Sequence, residues 1–432
     1  MKRIPLWLRQ CSTLWFTVYA TMAAFMTYFS MYAFRKPFTA SNYNGMPDFS
    51  YGIDFKTALI LAQVLGYALS KFIGIKVISE MNAGSRALAI LILVMTAELA
   101  LILFALVPTQ WKLLTLFLNG LPLGMIWGLV FSFLEGRRVS EILGAGLSIS
   151  FIVSSGVVKS VGQWLMLSHG ISEFWMPAVT GLVFTLPLFV SVFFLMQIPK
   201  PSAQDIAARH ERQPMDGKAR LAFFIKYAPG LIALILTYML LTGIRDYSDN
   251  FAAELWSSLG FGDTPAIFST AALYTSLFIL LALSLIMFVK NNLRAFMANH
   301  AFIFTGIAII GLSTLAYQGG YLSGQGWMIA HSTGIYLAYI PFNCLLFDRM
   351  LSAVNDKANA GFLIYLADAM GYAGSVGILL YKSFFDVKLS WLNFMIGSSY
   401  MISIAGCSLV LVSAWYFHLK VVKPLSLQPQ TG

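Results

Sequence analysis

Four basic residues sit where a membrane-embedded chain should carry none. Arg35, Lys71, Lys159 and Arg245 each lie inside or at the deep end of a long apolar run. Glu98 and Asp368 share that setting, and Asp246 and Asp249 follow closely on Arg245. A charge at mid-bilayer costs at least ~2.5 kcal/mol on insertion scales, so each group is expected to face a partner or a wet cavity. Guanidinium suits phosphate or carboxylate, because its planar fork donates two parallel hydrogen bonds. Carboxyl groups in such places can instead carry protons.

The spacing adds a second signal. Arg35 and Arg245 are 210 residues apart, and Lys159 and Asp368 are 209 apart. A duplicated six-plus-six helix bundle would place each pair at matching positions, the first and the fifth span of each half, with its site where the halves meet. On this reading the two arginines clamp an anion in one central cavity. Lys159 and Asp368 form an ion pair between halves, made in one conformation and broken in another. Plainer readings stay open at each position. Arg35 could snorkel beside Lys36 at a span end, Lys159 could serve a structural ion pair, and Glu98 could be a neutral packing residue.

The elements that must hold these groups follow from composition. The chain has 432 residues, 58% of them hydrophobic and 11% charged, against about 25% charged in soluble domains. That balance excludes a sizeable soluble domain, disorder, a coiled coil and a disulfide-built fold. About 250 apolar residues would fill roughly twelve spans of about 20, the length that crosses the hydrocarbon core. Apolar runs fall near 13–36, 55–78, 87–107, 113–134, 142–166 and 176–197, then near 226–255, 266–289, 296–317, 327–347, 360–381 and 392–418. Lipid offers no partner to an open backbone amide, so these runs are helices. The expected architecture is all-α, with twelve transmembrane helices in two pseudo-symmetric bundles, 1–198 and 226–432, joined by a polar linker at 199–225. The uncharged stretch 11–34 is too long for a signal-peptide core and reads as an uncleaved first span.

Lys and Arg set the direction. With the N-terminus inside, the inner segments hold 19 basic residues and the outer ones five, Lys36, Lys56, Lys112, Lys382 and Lys388. Both termini and the linker are therefore expected on the cytoplasmic side of the inner (plasma) membrane. The net charge of +10 is topology rather than a nucleic-acid surface, since no basic run exceeds two residues.

Around the same residues the chain resembles the organophosphate:phosphate antiporters (glycerol phosphate transporter-like) of the major facilitator superfamily. The first span ends MYAFRKPFTAS, similar to that family's tyrosine-rich span closing in Arg-Lys-x-Phe, and Tyr67-Ala-Leu-Ser-Lys71-Phe-Ile matches its Tyr-x-x-Ser-Lys-Phe-Ile. Arg245-Asp246-Tyr247, YIPF at 339–342, KANAGF at 357–362 and GYAGSV at 371–376 follow in the family's order. The resemblance implies the major facilitator fold and phosphate antiport. It also implies Arg35, Lys71 and Arg245 on the substrate's anionic group, with Tyr67, Tyr339 and Tyr372 lining the cavity. The chain departs from the pattern too. Met81 follows Glu80 where the superfamily has an Asp-Arg pair, and Val153 or a neighbour stands where the family has a span-5 histidine. Lys159, Asp368 and Glu98 are additions.

Smaller signals are structural. Glycines at four-residue spacing (Gly120, Gly124, Gly128) and at three-residue spacing (Gly371, Gly374, Gly377) read as helix-packing faces. The cluster Glu135-Gly136-Arg137-Arg138 reads as a solvated, topology-setting turn, with an inter-helix latch to Glu80 or Glu141 as the alternative. Of the five histidines only His331 lies where it could titrate in a cavity. Cys11, Cys344 and Cys407 are too scattered for a disulfide framework or a metal cluster. No phosphate-cradling loop, metal motif or catalytic constellation is visible, so no cofactor and no enzymatic activity are expected. The expected partners are a small anionic substrate and the lipid bilayer, with a monomer sufficient and no nucleic acid. Two functions compete: a secondary transporter of a small organic anion, coupled to phosphate or to protons through Glu98 or Asp368, and a transporter-like receptor that senses the anion.

Overall fold

The computed structural model describes residues 3–48, 52–82, 84–137, 139–202, 205, 217–287, 289, 291–344, 346–354, 360–385 and 389–422. Most of the polar linker, Arg138 and the start of the KANAGF motif lie outside the described residues. The first part of the chain forms α1 (Arg3–Gln10), α2 (Thr13–Tyr32), α3 (Phe55–Glu80), α4 (Arg86–Leu106), α5 (Lys112–Leu123), α6 (Ile126–Phe131), α7 (Ser140–His169) and α8 (Met176–Met196). Then come α9 (Gly217–Lys226), α10 (Ala228–Asn250), α11 (Ala252–Ser258), α12 (Ala266–Met287) and α13 (Asn292–Gln318). The last are α14 (Gly324–Cys344), α15 (Leu346–Val354), α16 (Ala360–Phe384) and α17 (Trp391–Phe417).

Local chemistry sets several of the ends. Ser12, Asn291 and Ser390 cap α2, α13 and α17, each accepting a backbone N–H of the first turn. Gly170 closes α7 at φ +63°, a left-handed conformation that costs glycine nothing. The run 113–134 divides at Gly124, just past Pro122, into α5 and α6. Ten helices among the described residues are long and apolar enough to cross a membrane. An eleventh span results if the bent pair Gly324–Asn343 and Leu346–Val354, at 49° to one another, counts as one. The twelfth expected span, α2, is 20 residues long but less apolar, because four threonines and three tyrosines interrupt it.

Two compact units make up the chain. One comprises Met1–Arg209, Asp249–Leu273 and Ser383–Val387; the other comprises His210–Ser248, Tyr274–Lys382 and Lys388–Gly432. In the first, α3 packs on α5, α4 on α5 and α8, and α2 on α7 and α8. In the second, α13 packs on α14 and α17. The helices bury one face and leave the other apolar: α8 buries Thr180, Phe184 and Leu188 but exposes Leu182, Leu186 and Val190. Water would penalise such a surface, whereas acyl chains accept it.

Glycine allows two helices to meet closely. A Cβ on Gly120 would collide with the backbone carbonyl of Gln63, and one on Gly124 with that of Tyr67. The expected glycine face thus lets α5 press directly on the stretch of α3 that presents Tyr67. Gly120→Ala is expected to force the helices apart at a cost of about 1–3 kcal/mol. A lowered melting temperature in detergent checks this.

Candidate functional site

In the first unit, three of the expected substrate residues come together. The chain leaves α2 at Tyr32 and turns before the short 3-10 segment Pro37–Ala40, with the Arg35 and Lys36 amides both donating to Tyr32 O. That turn brings the Arg35 guanidinium 3.8 Å from the centroid of the Tyr67 ring and 5.9 Å from that of Tyr32. One turn along α3, Lys71 Nζ lies 5.7 Å from the same Tyr67 ring. Two cations around one aromatic ring keep their charge while part of their hydration is replaced by the ring quadrupole. Such a pair is competent to bind a small anion.

Two side chains that the sequence reading missed hold this turn. Gln63 Nε2 donates to Arg35 O at 2.9 Å and to Asn119 Oδ1 at 2.7 Å. Asn119 Nδ2 donates to Phe34 O at 2.9 Å and to Ala97 O at 3.0 Å. Asn119 is fully buried and Gln63 nearly so. The two amides satisfy carbonyls freed where α2 stops, and they tie α2, α3, α4 and α5 to one point. Amides inside apolar runs were the signal available, since a buried polar group in a membrane helix needs a partner. Asn119→Leu would strand two buried carbonyls, each at about 1–3 kcal/mol. Its thermal melt is expected well below that of wild type.

The second unit holds Arg245, Tyr339 and Asp368. The Arg245 guanidinium lies 4.2 Å from the Tyr339 ring centroid and donates to Asp246 Oδ1 from Nη2 (2.6 Å) and from Nε (3.1 Å). Ser375 Oγ donates to Asp246 Oδ2 at 2.7 Å. Tyr238 Oη lies 2.7 Å from Asp368 Oδ1 and 2.8 Å from Tyr339 Oη. Each hydroxyl has one proton, so a Tyr238 that donates to Asp368 receives from Tyr339. Tyr372, one turn beyond Asp368 on α16, is half-buried. Tyr247 is fully buried and donates to Trp391 O at 2.8 Å, which makes it a packing residue.

Lys159 departs from expectation. Its Nζ pairs with Asp249 Oδ1 at 2.5 Å and also donates to Asp249 O, so its partner is Asp249 and not Asp368. Lys36 Nζ takes Asp249 Oδ2 at 2.5 Å and Asn250 Oδ1 at 2.7 Å. Ser155 Oγ completes the set on Asp249 Oδ1 at 2.5 Å. Beside them Lys56 Nζ donates to both Glu254 oxygens, at 2.6 and 2.8 Å, and to Thr39 O. The three lysines are at most 5% exposed, so this is a buried network of three ammonium groups on two carboxylates, Asp249 being shared by Lys36 and Lys159.

Glu98 is buried on α4, with neither carboxyl oxygen hydrogen-bonded. His331 is fully enclosed, with Nε2 2.8 Å from Ser399 Oγ, and lies against the Trp327 ring. No group of three metal-ligating side chains gathers among the described residues.

Three solved structures share the architecture. The xylose transporter XylE from E. coli, in a partially occluded inward-open conformation, is 12% identical with a TM-score of 0.57, covering 94% of this chain and 98% of its own. A POT family transporter in complex with 5-aminolevulinic acid is 11% identical (TM-score 0.58; 93% and 96% covered). The nucleoside transporter NupG is 13% identical (TM-score 0.56; 93% and 99% covered). At such identities the likeness establishes a fold, that of major facilitator transporters, in a multi-pass membrane protein. No curated protein matches the sequence. Residues 37–420 match a family whose description is "Family of unknown function (DUF5690)", and the chain belongs to that family.

Proposed function

We propose that the protein is a secondary carrier of a small organic anion, phosphorylated or carboxylated, that works by alternating access between two six-helix halves. The observation that carries this reading is the group formed by Arg35, Tyr67 and Lys71, two cations sharing an aromatic wall. Arg245, set against Tyr339, supplies a second guanidinium to the same task. Exchange for phosphate, as in the organophosphate:phosphate antiporters, is the proposed cycle, in a plasma membrane with both termini cytoplasmic. Tyr339 and Tyr372 would line the path, and Asp368 would respond to the cycle through Tyr238.

Liposomes holding the purified protein and internal phosphate should take up labelled external phosphate, and Arg35→Lys should slow that exchange by at least tenfold. A point charge replaces the fork there, and a charge-assisted hydrogen bond is worth about 1.5–3 kcal/mol. Wild-type liposomes that exchange neither phosphate, phosphonate nor carboxylate would refute the carrier reading. An anion sensor is the second reading, favoured by Met81 in place of the superfamily's arginine in the loop after α3. Saturable binding without translocation would select it.

A further inference from the structure

Glu98 is a carboxylic acid in the wrong surroundings for a carboxylate. It is 3% exposed, and nothing among the described residues donates to Oε1 or Oε2. The place is shaped for it: on α8 the facing residue is Gly181, where a Cβ would collide with Oε2 and would come within 3.0 Å of the Phe34 ring. Larger residues there would expel the carboxyl group. An ionised carboxylate buried without donors is far costlier than the neutral acid, which gives up hydrogen bonds to water but carries no charge.

Among the described residues no cation is paired with Glu98. The elements that pack most closely on α4 are α5, α8 and α6. Neither α6 nor α8 carries a titratable side chain. α5 carries Lys112, which donates to Phe104 O at 2.6 Å and lies 4.2 Å from the Phe174 ring centroid. On α4 itself the other charge is Arg86, which donates to Ser132 O. Arg35 follows Phe34 directly in the chain, and its turn is the one that Asn119 joins to Ala97, the neighbour of Glu98.

We infer that Glu98 is a proton-binding site of this carrier, loaded in the conformation described and linked through Phe34 and Asn119 to the turn that presents Arg35. This inference rests on the carrier reading for its coupling but not for the proton itself. When the α2 turn shifts and the pocket opens, the Glu98 O–H bond breaks. The proton passes to water and the electron pair stays on the carboxylate. Arg35 is the cation that the same turn can then bring toward it. Anion binding at Arg35 and proton retention at Glu98 thereby become linked, since each removes the other group's reason to ionise or to pair.

Infrared spectroscopy of the protein in lipid vesicles tests the site without transport. Wild type is expected to show a protonated-carboxyl carbonyl band at neutral pH that Glu98→Gln lacks. Identical spectra would overturn the assignment. Labelled-phosphate exchange tests the link: its rate should change several-fold between acidic and alkaline buffers in wild type, and this ratio should collapse toward one in Glu98→Gln. An unchanged ratio would overturn the coupling. A wild type that exchanges no phosphate would count against the carrier reading alone, leaving the infrared comparison to decide the proton site.

Discussion

Asp249→Ala is expected to be the most damaging single substitution in the chain. Asp249 is the carboxylate that Lys36 and Lys159 share, each at 2.5 Å, with both lysines almost fully buried. Removing one partner from a buried ion pair costs about 3–5 kcal/mol, because the remaining charge stays dehydrated without compensation. Here two ammonium groups lose the same counter-charge. A membrane domain of ordinary marginal stability would keep little folded protein, seen as lost monodisperse material on size exclusion and a collapsed thermal melt. Lys159→Met placed on Asp249→Asn should recover a large part of the loss, since it removes one stranded charge and keeps the volume. If the double variant melts no higher than Asp249→Asn, the network is not what the residue supports.

Arg245 gives the second large effect, and its sign can be separated from stability. With Arg245 intact, Asp246 occupies two of the guanidinium donors, so an incoming anion must compete with a built-in carboxylate. Arg245→Ala is expected to abolish the stabilisation that phosphorylated or carboxylated ligands give in a thermal-shift screen, a stabilisation that follows ligand concentration over Kd. The same variant leaves Asp246 without its guanidinium partner, and will itself be less stable. Asp246→Asn isolates the competition. It keeps the hydrogen-bonding shape, releases the guanidinium, and should tighten anion binding roughly tenfold, the equivalent of 1.4 kcal/mol. Weaker binding in Asp246→Asn would mean that the carboxylate orients Arg245 rather than competing for it.

How far these residues could be read in advance depended on what kind of force placed them. The spans were legible because apolar length is dictated by the bilayer, and helix ends at Ser12, Asn291 and Ser390 carry the capping chemistry in their side chains. The division of the fourth span was not, since Pro122 and Gly124 are tolerated inside membrane helices as often as they break them. Arg35, Tyr67 and Lys71 were legible through motif resemblance, and the structure gathers both cations around the Tyr67 ring. Gln63 and Asn119 showed in the sequence only as lone amides in apolar runs; their partners are carbonyls at the end of another helix, which no periodicity gives. For Lys159 the internal symmetry of the sequence points to Asp368, whereas in this structure its partner is Asp249. Counter-charges are chosen by proximity, and Asp249, at the end of α10, was within reach.

The lysine network also has a history on the ribosome. Lys56 and its partner Glu254 are 198 positions apart, so at about 5–20 residues per second the lysine waits some 10–40 s before its carboxylate has even been polymerised. During that interval Lys36, Lys56 and Lys159 lack the carboxylates that they pair with in the folded chain, and must be kept at the water-facing edge. A truncated product that stops before Asp249 would remain in that condition permanently. Expressed alone, residues 1–198 should therefore be recognised as unfinished and be cleared by quality-control proteases, whereas co-expression of the remaining segment should rescue them.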